Sequence, residues 1–230
     1  MLKNPETFDV AAYLARIGVP SPERADLAAL AVLHRAHAAA IPFENLDIQM
    51  GRSIDLDPAS LQAALVARHR GGYCFQHNSL FRLALTGFGF EVRQREARVR
   101  RSAEGRILAR THMVLVVQLE GADWLVDVGF GGEGLAEPVP LDGTAVVQDG
   151  WRYRITREGP LRVLQRAIDD RWNDLYAFRD DDIYDVDYAL ANWYTSTHPE
   201  SQFVLTLTAQ RIIGDTRHVL RNRRGTCRML

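Results

Sequence analysis

The apolar pattern of the chain changes period once, between Gly87 and Phe90, and that change limits what it can fold into. Before it, apolar residues recur at helical spacing. Val10, Tyr13, Leu14 and Ile17 share the face of a helix that Gly18 and Pro20 end. Ser21-Pro22-Glu23, a cap followed by proline in the first turn, opens a second helix through Leu27, Leu30, Ala31 and Ala38 towards Pro42. Asp57-Pro58 opens a third, with Leu61, Leu65 and Val66 inward, and residues 74–86 form a fourth that stops at Gly87. After Phe90 the runs are short and rich in β-branched residues: 90–99, 107–119, 124–128, 151–156 and 161–167. The pattern predicts an α+β chain, a helical bundle followed by an antiparallel β-barrel or sheet domain.

The chemistry sits beside that boundary. Arg70-Gly71-Gly72-Tyr73-Cys74-Phe75-Gln76-His77-Asn78 places a cysteine just after a glycine pair, at the first turn of the fourth helix. Glycine permits the tight turn, and a helix N-terminus favours thiolate over thiol. His112 lies in an apolar strand run, and Glu120-Gly121 turns that strand back into Trp124-Leu125-Val126-Asp127-Val128. A carboxylate in a buried strand is costly unless it is paired, and an imidazole is the partner that chemistry wants. Cys74, His112 and Asp127 therefore make a candidate triad of nucleophile, base and orienting acid. Taken singly, each has a plainer reading: a small core cysteine, a hydrogen-bonded core histidine, and a turn aspartate. Their joint spacing favours the catalytic one.

These blocks carry a family resemblance. Arg70-Gly71-Gly72-Tyr73-Cys74, Thr111-His112 and Val126-Asp127-Val128-Gly129-Phe130-Gly131 resemble the signature blocks of the arylamine N-acetyltransferases. Ile41-Pro42-Phe43-Glu44-Asn45-Leu46 and Asn192-Trp193-Tyr194-Thr195-Ser196-Thr197-His198-Pro199 are similar to two more, all in the family's order. The resemblance implies a cysteine-protease/transglutaminase-like core with a partial α/β lid. It divides the chain into a helical domain over 1–88, an antiparallel β domain over 89–190 and a partial lid region over 191–230. It also implies acetyl-CoA as acyl donor, with no metal, and an arylamine, hydrazine or arylhydroxylamine as acceptor. A ping-pong mechanism through acetyl-Cys74 would join the two half-reactions. Gly129, Phe130, Gly131, Thr111, Tyr194, Ser196 and Thr197 are expected at the cofactor, and Phe43, Phe130, Gly132 and Gly134 at the acceptor. Family members continue for several more elements past this point, so the resemblance implies either a shortened chain or a natural short form whose lid is partial. Gln76 is neutral where the family also uses glutamate, so Arg70 is expected to pair with Glu44.

Composition fits a globular enzyme and gives no electrostatic case for nucleic acid or a membrane, since net charge is −1. Lys3 is the only lysine among 28 basic residues, and Arg217, Arg221, Arg223, Arg224 and Arg228 cluster near the end. That cluster reads as a solvated ribbon or as an attraction for coenzyme A phosphates. Asp180, Asp181, Asp182, Asp185 and Asp187 read as a solvated acidic loop, and Gly214-Asp215 as a hairpin turn between residues 203–208 and Val219-Leu220. Cys74 and Cys227 show neither disulfide nor zinc spacing, and no apolar run has signal-peptide or membrane-spanning form. A cytoplasmic location is expected. Three alternatives stay open: a papain- or transglutaminase-like hydrolase, a related amide synthase, and a catalytically silent binding protein.

Overall fold

A computed structural model describes residues 8–213 and 216–229. Helices α1 (Val10–Ile17), α2 (Leu27–Ala40), the short α3 (Leu46–Gln49) and α4 (Pro58–Leu61), and α5 (Cys74–Gly87) build the N-terminal region. Strand β1 (Phe43–Glu44) lies between α2 and α3, and a π-helical stretch over Gln62–Ala67 continues α4. Gly18 closes α1 in the left-handed conformation expected of a helix-ending glycine. The start of α2 differs from the sequence reading. Asp26, not Ser21, is its cap and accepts the Ala29 N–H at 2.9 Å.

The strand region is an eight-stranded antiparallel sheet. Its members are β2 (Glu91–Val99), β3 (Arg110–Leu119), β4 (Ala122–Val126), β5 (Val139–Pro140), β6 (Val146–Gln148), β7 (Trp151–Glu158), β8 (Leu161–Ile168) and β9 (Arg171–Phe178). The spatial order is β5-β4-β3-β2-β9-β8-β7-β6. Strand β3 explains why helices and sheet form one body. Its apolar run is buried on both faces, with Met113, Leu115 and Val117 in the helix-side core and Val114 and Val116 in the sheet-side core. Such a run must lie between two layers rather than on a wet face. Glu120 and Gly121 both have positive φ, which is the two-residue hairpin turn the sequence predicts between β3 and β4.

Helices α6 (Asp185–Thr197) and α7 (Gln202–Leu205) and strands β10 (Thr208–Ile213), β11 (Thr216–Arg221) and β12 (Arg224–Met229) complete the described chain. Two sequence readings change here. Asp185 and Asp187 are not loop residues but the first turn of α6, where a helix N-terminus favours negative charge. The stretch expected as a strand from Phe203 is helical to Leu205, and β10 begins at Thr208. Gly214-Asp215 lies outside the described residues. Strands β10–β12 form a second sheet with β1, pairing Phe43 with Gln210 and Glu44 with Ala209. That pairing ties the last part of the chain to the segment that precedes the cysteine loop.

Candidate active site

The cysteine loop is shaped by close packing. Phe43 bridges Gly72, and the Glu44 N–H donates to the Gly72 carbonyl at 2.8 Å. A Cβ on Gly71 would lie 2.2 Å from the Pro42 carbonyl oxygen, so only glycine fits there. Gln76 turns back and accepts the Tyr73 N–H at 3.3 Å, which closes the start of α5. Arg70 reaches Asp47 at 3.1 Å and Glu44 at 3.7 Å. The expected Glu44 pair is present, but Asp47 is the nearer acid.

Cys74 is the first residue of α5 and is buried. Its thiol donates to the Thr111 carbonyl at 3.7 Å. That carbonyl is available because the β2–β3 ladder slips: Ala97 faces His112 and Arg98 faces Arg110, leaving Thr111 between them. A β-bulge of this kind re-aims neighbouring groups. Here it turns the backbone of Thr111 towards the sulfur and brings His112 to the helix–sheet junction. Thr111, expected at the cofactor, thus contacts the thiol through its backbone.

His112 Nε2 lies 2.7 Å from Asp127 Oδ2, and both residues are buried. With Nε2 committed to the carboxylate, Nδ1 is the nitrogen left for Cys74. The ring packs against Phe130 at 5.2 Å and Tyr176 at 5.0 Å. Burial works against a charge on His112. The charge and hydrogen bond of Asp127, with smaller contributions from the Cys74 thiol, outweigh it and raise the pKa from 6.5 to about 10. Asp127 in turn is held below the ordinary carboxylate value despite burial, by His112, Asn78 and the Gly129 N–H.

Asp127 follows the end of β4 and is gripped from several sides. Asn78 Nδ2 donates to Oδ1 at 2.9 Å and to the Met113 carbonyl at 2.7 Å, while Asn78 Oδ1 accepts the Val128 N–H at 3.1 Å. The Gly129 N–H also donates to Oδ1 at 2.9 Å. The backbone N–H of Asp127 donates to His34 Nε2 at 3.2 Å, so the proton of His34 sits on Nδ1, facing the Ala136 carbonyl at 3.0 Å. Asn78, His34 and Tyr176 have no role in the sequence reading. Asn78 had a usable signal, since it stands four residues after Cys74 on the same helix face. His34 and Tyr176 had none, because they arrive from distant elements.

The other expected site residues divide. Phe43, Phe130, Gly131 and Gly134 line one pocket together with His77 and Asp127. Gly132 lies on an adjoining pocket with Glu133 and Arg166. Gly129 packs against the nucleophile helix: a Cβ there would stand 2.9 Å from the Cys74 backbone and 2.7 Å from Asn78 Nδ2. Tyr194 stacks on His198, and Ser196 and Thr197 bond back to the Asn192 and Trp193 carbonyls of α6. None of these three lines the Phe43–Phe130 pocket.

A buried thiol, an imidazole kept basic by a carboxylate, and a glycine-shaped approach are the equipment of covalent acyl transfer. The N-acetyltransferase family model matches residues 26–228, and the chain belongs to the arylamine N-acetyltransferase family. It is 42% identical to the arylamine N-acetyltransferase of Mycolicibacterium smegmatis over 222 residues, covering 94% of this chain and 81% of that protein. The structure of the Salmonella typhimurium arylamine N-acetyltransferase superposes with a TM-score of 0.92 at 35% identity, covering 96% of this chain and 81% of that one. The Mycobacterium marinum enzyme, solved in complex with CoA, superposes with a TM-score of 0.91 at 37% identity, covering 96% and 83%.

Proposed function

We propose that the protein transfers an acetyl group from acetyl-CoA to an arylamine, hydrazine or arylhydroxylamine through an acetylated Cys74. The observation that carries the site assignment is the His112–Asp127 pair placed beside the thiol. His112 holds the proton of Cys74, and the thiolate attacks the thioester carbonyl carbon. The first N–H groups of α5 have no intrahelical acceptor and can stabilise the oxyanion that forms. Collapse expels coenzyme A, which leaves as a thiol with the proton from His112, and the acetyl group remains on Sγ. The amine then attacks the same carbon, gives its proton to His112 and regenerates the thiolate. An arylamine suits this step because its low basicity leaves the nitrogen lone pair free at neutral pH.

Supporting the acceptor assignment, Phe43 and Phe130 supply flat apolar walls to the pocket beside Asp127. The division into 1–88, 89–190 and 191–230 suits this chemistry, with the nucleophile from the first unit, base and acid from the second, and a pocket wall at Gln210 from the third. Among the described residues no helix is long and apolar enough to cross a membrane. Both half-reactions passing through one covalent intermediate predict parallel-line initial-rate kinetics. The direct test is intact mass after incubation with acetyl-CoA and no amine. One acetyl group mapped to Cys74, and lost when 4-aminobenzamide is added, is the expected result. A folded protein that transfers acetyl groups without such an adduct would contradict the mechanism.

A further inference from the structure

One buried histidine stands outside the mechanism yet touches the triad. His34, on α2, is fully buried and lines neither pocket. Asp127 follows the last pair of the β3–β4 ladder, Leu115 with Val126, and a side chain takes its backbone N–H: it donates to His34 Nε2 at 3.2 Å. The other ring nitrogen, Nδ1, donates to the Ala136 carbonyl at 3.0 Å. One imidazole therefore holds both ends of the loop over 127–136, which carries Phe130, Gly131 and Gly134 of the pocket wall.

The far end of that loop is a firm anchor. Gln148 Oε1 accepts the Ala136 and Glu137 N–H groups at 3.0 and 3.1 Å. Arg35, next to His34, pairs with Glu137 and Asp149 at 2.8 Å each. With Nδ1 fixed on Ala136 and the ring edge-on to Phe81 at 5.8 Å, Nε2 is aimed at Asp127. Asn78 and the Gly129 N–H hold Oδ1 at 2.9 Å each, but they fix one oxygen only. A backbone anchor fixes the pivot from which the carboxylate swings, and hence the 2.7 Å approach of Oδ2 to His112.

We infer that His34 is a positioning residue for acetyl transfer, whose neutral ring ties both ends of the 127–136 loop to α2 and so sets where Asp127 meets His112. The inference rests on the acetyl-transfer reading and deepens it. Burial, helped by Arg35, holds the ring neutral against the pull of Asp127 and Glu137, taking it to about 4. His37, further along α2, is neutral too. A protonated His34 would carry N–H on both nitrogens and lose the Asp127 contact.

The test compares His34→Gln with His34→Leu. An amide spaces its acceptor oxygen and donor nitrogen much as an imidazole spaces its two nitrogens, so His34→Gln keeps both bonds. His34→Leu fills the space and keeps neither. For acetyl transfer from acetyl-CoA to 4-aminobenzamide, kcat/KM should fall roughly 10- to 100-fold in His34→Leu, the scale for a displaced catalytic group, and recover in His34→Gln. In nitrogen-15 spectra, His112 of His34→Leu should titrate below the wild-type value of about 10, and return towards it in His34→Gln. Lost packing alone would not move that titration. The wild type adds a check that needs no variant: at neutral pH His34 should show a bare Nε2 and a protonated Nδ1.

A wild-type His34 protonated on Nε2 would overturn the inference. So would a folded His34→Leu with wild-type rate and wild-type His112 titration, or equal losses in both variants with that titration unmoved. If His34→Leu does not fold, His34→Gln carries the test: His112 should titrate as in the wild type, and a lowered value contradicts the role. If the wild type acetylates no arylamine, the acetyl-transfer reading fails, while the tautomer and the His112 titration still decide what His34 does.

Discussion

His112 and the histidines of the helical region are all buried, yet His112 is cationic and the others are neutral. In the helical region Tyr13, His37 and His77 form a chain that ends on the Pro42 carbonyl, with links of 2.9, 3.0 and 3.1 Å. A carbonyl can only accept, so His77 Nε2 carries its proton, His37 Nε2 donates to His77 Nδ1, and Tyr13 donates to His37 Nδ1. Every ring in that chain is satisfied while neutral. Burial pushes His37 well down, and takes His77 and the neighbouring His34 to about 4. His112 suffers the same desolvation and is raised to about 10. The difference is a carboxylate at 2.7 Å. Burial alone makes histidine inert; burial beside a held carboxylate makes it a base.

The sharpest way to break the comparison is to remove what the base acts on. Cys74→Ala should abolish acetyl transfer while leaving near-native circular dichroism, and a variant that retains turnover would remove Cys74 from the chemistry. Asp127→Asn should convert His112 into a histidine of the other kind. Steady-state kcat/KM should fall by roughly 10³–10⁴-fold, the scale seen when an orienting triad carboxylate is lost. A near-wild-type rate would reduce Asp127 to a turn residue.

The neutral histidines make their own prediction, with a defined sign. The folded pKa values of His34 and His77 lie near 4, below the ordinary 6.5. The unfolded chain therefore binds protons first as pH falls, so stability is full above 6.5 and declines towards 4. Each histidine accounts for roughly 3 kcal/mol of that loss. His112 acts in the reverse sense, with its contribution complete below 6.5 and lost as pH rises towards 10. Urea midpoints should drop steeply between pH 6.5 and 4.5, and a flat profile would contradict neutral burial. Asn78→Ala tests the grip on Asp127 and should cost about 10- to 100-fold in kcat/KM, the range for a hydrogen bond to a charged group. Wild-type kcat/KM would show that Gly129 and His112 hold the carboxylate without it.

The same contrast runs through what the sequence revealed. Cys74, His112 and Asp127 were legible because each breaks a local rule: a thiol after two glycines, an imidazole in an apolar strand, an acid in a buried one. The α-to-β change and the Glu120-Gly121 hairpin were legible for the same reason, since period and turn chemistry are local. The groups that make the triad work depend on register. Nothing in the sequence marks the slip that leaves Thr111 unpaired, or the pairing of Phe43 with Gln210 that builds the pocket wall. The acidic run illustrates the limit well. Composition makes Asp185 and Asp187 look solvated, and only helix polarity explains why they begin α6. Arg217 looked like one of five surface arginines until the fold turned it towards Gly131.

The decisive measurement is the protonation state of His112, read by nitrogen-15 histidine spectra of the wild type and Asp127→Asn from pH 5 to pH 10. The wild type should show one imidazolium that persists well above pH 8 while His34 and His77 stay neutral. In Asp127→Asn that signal should become neutral with the others. A His112 that titrates near 6.5 in the wild type, or one unchanged by Asp127→Asn, would contradict the claim that a single carboxylate makes this buried histidine a catalytic base.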